Sequence, residues 1–290
     1  MKKKLELSIH GKKVKITPTT IIVHLIAVLI GVIWILPVIG IVMVAIRPMS
    51  EVLHGWWNFE EFHLTFDNFT EALTSPTTML SVGLLNSFIV ASLATLLPIF
   101  VAAMAAYSFA RFSFKMKTYL FILIVVLMAF PQQMVAIPIF QIMIHLGLID
   151  TYLGLILLHT AWGLPWIILF LRNFFLTLPV EVEEAARVDG ASDFQIFTRI
   201  VLPMSLPALL SVATLQFTWV WNDFFFALLI LYSSDKLVAI QRLVWMKGKY
   251  HTPWGMLSAG AISVMAVPII IYAVLQKYYV KGMVGWVGKG

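Results

Sequence analysis

Cysteine is absent from this 290-residue chain, which excludes a disulfide framework, a thiolate metal site and a cysteine nucleophile. Charge is scarce as well. Asp, Glu, Lys and Arg make up 12% of the residues, against about 25% in soluble globular chains. The seven His are scattered without an i,i+4 pair or an HExxH run, so no metal set is spaced for binding. No Gly-Lys-Ser/Thr motif occurs, and the closing Gly282-Met-Val-Gly285-Trp-Val-Gly288 lacks the preceding strand and following helix of a phosphate cradle. No cofactor is therefore expected on this chain. Internal repeats and low-complexity segments are also missing.

What is present is apolar. Hydrophobic residues account for 61% of the chain and the mean hydropathy is +0.94. Six runs reach the roughly 20 residues that cross a bilayer, at about 20–45, 81–108, 118–143, 152–172, 205–232 and 254–276. Pro131 and Pro138 interrupt the third, as membrane helices tolerate where neighbours satisfy the backbone. The predicted fold is an all-α polytopic membrane protein with six transmembrane helices and a helix-turn-helix loop. Its parts are an N-tail (1–18), a first membrane helix (19–46), an acidic extracytoplasmic loop (47–79), a transmembrane core (80–277, including a polar loop at 173–203) and a C-tail (278–290). Within the core an outer loop is expected at 233–253.

The formal net charge is +6, and its distribution is topological. Fifteen Lys and Arg fall in the N-tail, the 109–117 turn, the 173–203 neighbourhood and the C-tail, against five on the other side. The positive-inside rule places both termini and the 173–203 loop in the cytoplasm of a cell-membrane protein. The basic excess marks orientation, not a nucleic-acid surface.

The polar loop carries the most local information. Pro179 stands where a first helical turn tolerates a missing N–H, and Glu181, Glu183 and Glu184 place negative charge at the positive end of that helix. Gly190 falls where a helix ends in a left-handed residue. Ser192 and Gln195 have capping-box spacing for a second helix, which Leu202-Pro203 closes. A helix of about 11 residues is marginal alone, which points to docking against another body.

Glu184-Ala185-Ala186, Gly190 and then Ile200-x-Leu202-Pro203 at this spacing resemble the EAA loop of ABC importer permeases. The resemblance covers the spans from about 80 to 277. Trp219-Val-Trp221-Asn222-Asp223-Phe224 and Thr65-Phe66-Asp67-Asn68-Phe69 are similar to the carbohydrate-uptake (maltose-type) branch, in its smaller second permease subunit. It implies a type I importer fold and a binding-protein-dependent, ATP-driven sugar importer. The implied partners are a second homologous permease, two ATP-binding subunits carrying ATP and Mg, an extracytoplasmic solute-binding protein, a sugar and membrane lipid. Glu184, Ala185, Ala186, Asp189, Gly190, Ile200, Leu202 and Pro203 would couple to the ATPase, so the chain itself is not an enzyme.

Candidate pathway groups are Gln216, Trp219, Asn222 and Asp223 in the fifth span, Gln132 and Gln133 in the third, and Asn86 in the second. A carboxylate at membrane depth is costly unless it faces protein, water or a partner. Rings beside amides and a carboxylate suit a sugar, whose C–H faces stack and whose hydroxyls hydrogen-bond. The same groups also suit interhelical contacts or an interfacial aromatic belt. Other solutes, such as a glycerol-phosphate or polyol, stay open. An ion-coupled secondary transporter would show inverted repeats, and a membrane enzyme would show a clustered nucleophile, metal set or paired carboxylates. Neither pattern is visible.

Overall fold

The computed structural model describes residues 6–9, 12–15, 18–248 and 252–287, with side chains over 18–248 and 252–276. Lys2, Lys3, Lys4, Lys249 and Lys289, which enter the charge argument, lie outside the described residues, as do the side chains of Lys12, Lys13, Lys15, Lys277 and Lys281. Helices form nearly all of the described structure. The N-tail adds an unexpected antiparallel hairpin, β1 (Glu6–Ile9) with β2 (Lys12–Lys15), in which Glu6 lies opposite Lys15.

Helix α1 (Pro18–Ala45) matches the first expected span, and it is exposed along nearly its whole length. The loop after it is more structured than its acids and turns suggest. It holds α2 (Met49–Val52) and α3 (Asp67–Thr74), and Glu51 is buried between Arg47 Nε at 2.9 Å and His63 Nδ1 at 2.7 Å. Burial opposes ionisation of Glu51, but hydrogen bonds from His63 and Arg47 outweigh it and hold the carboxyl below its usual range.

The core is built on α4 (Leu80–Arg111) and α7 (Tyr152–Phe175), which pack along their length. Small residues permit the close approach: Ala91, Ala94, Ala102, Ala103 and Ala106 of α4 are all buried. Two apolar clusters fill the body, one around Trp221, Phe226 and Ile230, the other around Phe175, Ile196 and Phe197.

The third and fifth spans are not single helices. The third is α5 (Lys117–Leu127), then a 3₁₀ turn (Gln132–Val135) leading into α6 (Ala136–His145), bent by 97°. Pro131 stands at the break, while Pro138 sits in the first turn of α6, where its missing N–H costs nothing. The fifth span is α11 (Leu206–Asn222), a break at Asp223 and Phe224, and α12 (Phe225–Ile230). Among the described residues four helices are long and apolar enough to cross a membrane, or up to six if each bent pair, Lys117–Leu127 with Gln132–His145 and Asp193–Met204 with Leu206–Asn222, is one span.

The polar loop folds as α8 (Val180–Val188), α9 (Asp193–Ile196), a π-helical turn (Phe197–Val201) and α10 (Leu202–Met204). The second helix therefore runs past Leu202-Pro203, and the chain bends by 73° at Ser205 into α11. Part of the expected outer loop is instead α13 (Ala239–Trp245), with Gln241 and Arg242 buried. The last helix, α14 (Trp254–Val287), continues through most of the expected C-tail.

Candidate functional site

The α8–α10 segment takes the shape its local signals dictate. Gly190 has φ +85°, a left-handed position that glycine adopts without strain. Ser192 Oγ accepts from Gln195 N–H, and the Gln195 side chain accepts from Ser192 N–H at 2.8 Å, which completes the capping box. Arg187 and Asp193 bridge the two helices at 3.0 Å on the surface.

Glu184, Ala185, Asp189 and Pro203 are exposed, and Ala186, Ile200 and Leu202 are half-buried against the Phe175–Phe197 cluster. Two apolar side chains join the exposed group: Val188 is 88% and Phe194 70% exposed. Charged and apolar side chains are thus both exposed on this segment.

Glu183 behaves differently from its neighbours. Instead of standing at the surface as a dipole charge, it is 1% exposed. Its carboxylate accepts from Arg111 Nε at 2.8 Å and from the Tyr107 hydroxyl at 3.0 Å. Arg111 also donates to the Leu178 carbonyl at 3.2 Å. The Tyr107 ring lies among Phe112, Phe175 and Phe197. This buried ion pair ties the polar loop to the end of α4. Sequence reasoning missed it because the partners are 72 residues apart; the available signal was one acid more than the motif uses.

The pathway candidates separate into two groups. Asn86 is a structural tie, donating to the Asp235 and Leu237 carbonyls at 2.9 and 3.0 Å. Asn222 turns to its own helix, on Thr218 O, and Gln133 is exposed. Gln216 crosslinks helices, donating to Ala94 O and accepting from Trp166 Nε1, both at 3.1 Å.

Asp223 is buried at the helix break, where its Oδ1 accepts from Phe226 N–H at 2.7 Å and so caps α12. That bond satisfies one of the free amides of the first turn of α12 at the break. His159 Nε2 lies 3.9 Å from the same oxygen, and the Gln132 amide approaches the carboxylate. Gln132 Oε1 is itself buried without a partner among the described residues.

Beside this polar group lies a cavity of about 130 Å³ between α7 and α11, lined by Met128, His159, Trp162, Gly163, Trp166, Gln216 and Trp219. His159, Trp162 and Trp166 were not singled out from sequence. On α7 they read as ordinary residues of an apolar span. Among the described residues no group of three His, Asp or Glu side chains could hold a metal ion.

Comparisons with known proteins agree with this architecture. Residues 94–285 match the family model described as "Binding-protein-dependent transport system inner membrane component". A probable ABC transporter permease of Pyrococcus horikoshii is 51% identical, over 91% of this chain and 95% of that protein. The trehalose/maltose transport system permease of Thermococcus litoralis is 33% identical, over the same shares. Among solved structures, a bacterial ABC transporter involved in the import of the acidic polysaccharide alginate shares the fold, with a TM-score of 0.73 and 24% identity over 91% of this chain and 99% of that one. On these grounds the chain belongs to the family of inner-membrane components of binding-protein-dependent transport systems.

Proposed function

We propose that this chain is the membrane-spanning permease subunit of an ATP-driven, binding-protein-dependent sugar importer. In this reading it forms half of the translocation pathway with a second, homologous permease. Both termini and the α8–α10 segment face the cytoplasm, two ATP-hydrolysing subunits with ATP and Mg dock there, and a solute-binding protein delivers the sugar outside. The observation that carries the reading is the helix pair with Glu184, Ala185, Val188 and Phe194 exposed on either side of the left-handed Gly190. An isolated surface hairpin has no use for two large exposed apolar residues, whereas a docking face does. The sugar class is supported by relatives such as the trehalose/maltose permease of Thermococcus litoralis.

Gly190→Val strains the turn by about 1–3 kcal/mol without touching the buried core, and Glu184→Lys reverses an exposed charge. Both variants should reach the membrane at near-normal levels while uptake and substrate-stimulated ATP hydrolysis fall. Normal uptake by both would reduce the segment to a connector. Orientation is tested with single cysteines in this cysteine-free chain: Ser234→Cys should react with an impermeant reagent in intact cells and Ser192→Cys should not.

A further inference from the structure

We infer that the seam between α5 and α7 holds an anionic phospholipid, its phosphate on Arg172 and Lys117 and an acyl chain in the apolar cavity further along. The inference takes from the permease reading only the leaflet that this end meets, the cytoplasmic one. The polar end is built on Arg172, in the last turn of α7. Its guanidinium lies over the Phe121 ring of α5, 4.2 Å from the centroid. Among the described residues it makes one hydrogen bond, from Nη1 to Asn173 Oδ1 at 3.3 Å, and no ion pair. Nε is buried without a partner. Nη2 has no partner either, but it is not enclosed, so an acceptor from outside the chain can reach it. Partly buried charge is ordinarily paired, as Arg111 is by Glu183 at 2.8 Å. A phosphate is the partner that the planar guanidinium fits best.

The neighbouring groups are cationic as well. Lys117 opens α5 one turn before Phe121, on the same face of the helix. Its ammonium donates to Phe112 O at 2.8 Å, which leaves its other N–H groups free among the described residues. Lys115 is exposed beside it. No side chain caps α5 and its first turn holds no acid, so the positive end of the helix is uncompensated.

The apolar end is a cavity of about 580 Å³ where the far end of α5 meets α6 and α7. Leu127, Met128, Ile142, Leu157, Ala161 and Pro165 are among its walls, and no charged residue lines it. Leu127, Met128 and Ile142 are exposed, so the cavity opens on the outside of the chain. Both ends lie on one seam. From Phe121 to Leu127 α5 advances about 9 Å, and from Arg172 to Pro165 α7 advances about 10 Å. A lipid whose phosphate meets Arg172 therefore has its chain at the depth of the cavity. A zwitterionic lipid would bring an ammonium to Arg172, Lys117 and Lys115, while the buried acid at this end, Glu183, is taken by Arg111. A free phosphate would leave the cavity unfilled. Basic pockets between spans on the cytoplasmic side are recurrent places for anionic head groups.

The test uses the full chain with its co-purifying subunits in detergent, stripped of lipid, with thermal unfolding read as lipid is added back. The probes are phosphatidylglycerol, phosphatidylcholine and glycerol 3-phosphate. Phosphatidylglycerol should raise the midpoint at a concentration at least ten-fold lower than phosphatidylcholine, and glycerol 3-phosphate should not compete with it. Arg172→Gln should raise the phosphatidylglycerol concentration required five-fold or more. Should that variant fold poorly, Lys115→Gln with Lys117→Gln decides, at three-fold or more. Phosphatidylglycerol with a photoreactive acyl chain should label 121–128 or 157–165. Equal action of the two lipids, labelling elsewhere, or unchanged affinity in the double lysine variant overturns the inference. Full competition by glycerol 3-phosphate overturns the lipid in favour of a bare anion site. Labelling that appears only after a second permease is removed gives the seam to that subunit and overturns it too. A complex without an ATPase counts against the permease reading and leaves the lipid result standing.

Discussion

At the α13 end of the bundle the buried polar groups reach for backbone; at the α8 end they reach for each other. Arg242 donates to the carbonyls of Thr78 (3.0 Å), Leu237 and Ser234. Gln241 donates to Ala227 O and Leu231 O, and the Ala239 amide donates to Ser87 Oγ. At the other end Glu183 and Arg111 face one another as side chains, with the Tyr107 hydroxyl beside them. Carbonyl ties hold a segment in one shape, because the Arg242 and Gln241 donors end on main chain that has nowhere else to go. A side-chain pair, here with a single carbonyl tie from Arg111 to Leu178 beside it, links two bodies over a small area, and its worth depends on both members being present. The first arrangement makes a fixed cap; the second makes a single joint.

Removing one member of that pair should therefore be the most damaging change. Arg111→Ala leaves the Glu183 charge buried and unpaired, which costs about 3–5 kcal/mol. Thermal unfolding of the detergent-solubilised complex should show a large drop. Arg111→Met with Glu183→Leu should unfold near the wild-type temperature while transport stays impaired, since the apolar pair packs but no longer orients α8. Recovery of full transport by the double variant would show that the link is packing alone.

Cutting one carbonyl tie should cost less. Asn86→Leu removes one donor each from Asp235 O and Leu237 O, at no more than about 1–3 kcal/mol, because Arg242 still holds Leu237 O and the Tyr152 hydroxyl still reaches Asp235 O. Similar damage from Asn86→Leu and Arg111→Ala would erase the distinction between the two ends. Smaller still, Ser192→Ala removes one half of the capping box and should lower stability by about 1 kcal/mol, read as local amide exchange in 192–196.

A separate effect, read against pH, is expected at the α13 end. Burial pushes the Asp150 carboxyl up, but hydrogen bonds from the Ser233 side chain and amide, the Tyr232 amide and the Lys236 ammonium prevail and hold it well below the usual carboxylate range. A depressed folded-state value stabilises at pH above the unfolded value of about 3.9, and the contribution is lost as pH falls through the folded value. The unfolding midpoint should be flat in this respect from pH 8 to about 5 and decline below about 4. Asp150→Asn should remove that part of the decline.

The sequence announced the α8 region well because its signals are local. Pro179, Gly190 and the Ser192–Gln195 pair each act within four residues; Gly190 and the capping pair were found where expected, and Pro179 stands one position earlier, at the N-cap of α8 rather than inside its first turn. Glu183 escaped because nothing near it in the chain reveals a partner on α4. The break at Asp223 escaped for a related reason. It contains neither Gly nor Pro, only a carboxylate placed to cap the next helix, inside a run of aromatic residues that reads as continuous span. Helix α13 was taken for loop because its seven residues are flanked by Ser-Ser-Asp-Lys and Lys-Gly-Lys, and its burial comes from α4. The spans themselves were legible wherever one helix does the crossing; Pro131 marked the interruption of the third, and only the break at Asp223 was read as continuous.

Helix α4 carries both sets of ties. Asn86 and Ser87 stand near its beginning, and Tyr107 and Arg111 at its end. Its 32 residues make a rod about 48 Å long, longer than the roughly 30 Å hydrocarbon layer. Mechanically it is a strut pinned at both ends, with Pro98 between the pins as the one turn whose ladder lacks a hydrogen bond. If the loop holding Glu183 swings relative to the cap holding Arg242, α4 must either flex at Pro98 or release a buried polar group. Such a swing would make the bending stiffness of a single turn the link between the two ends of the bundle.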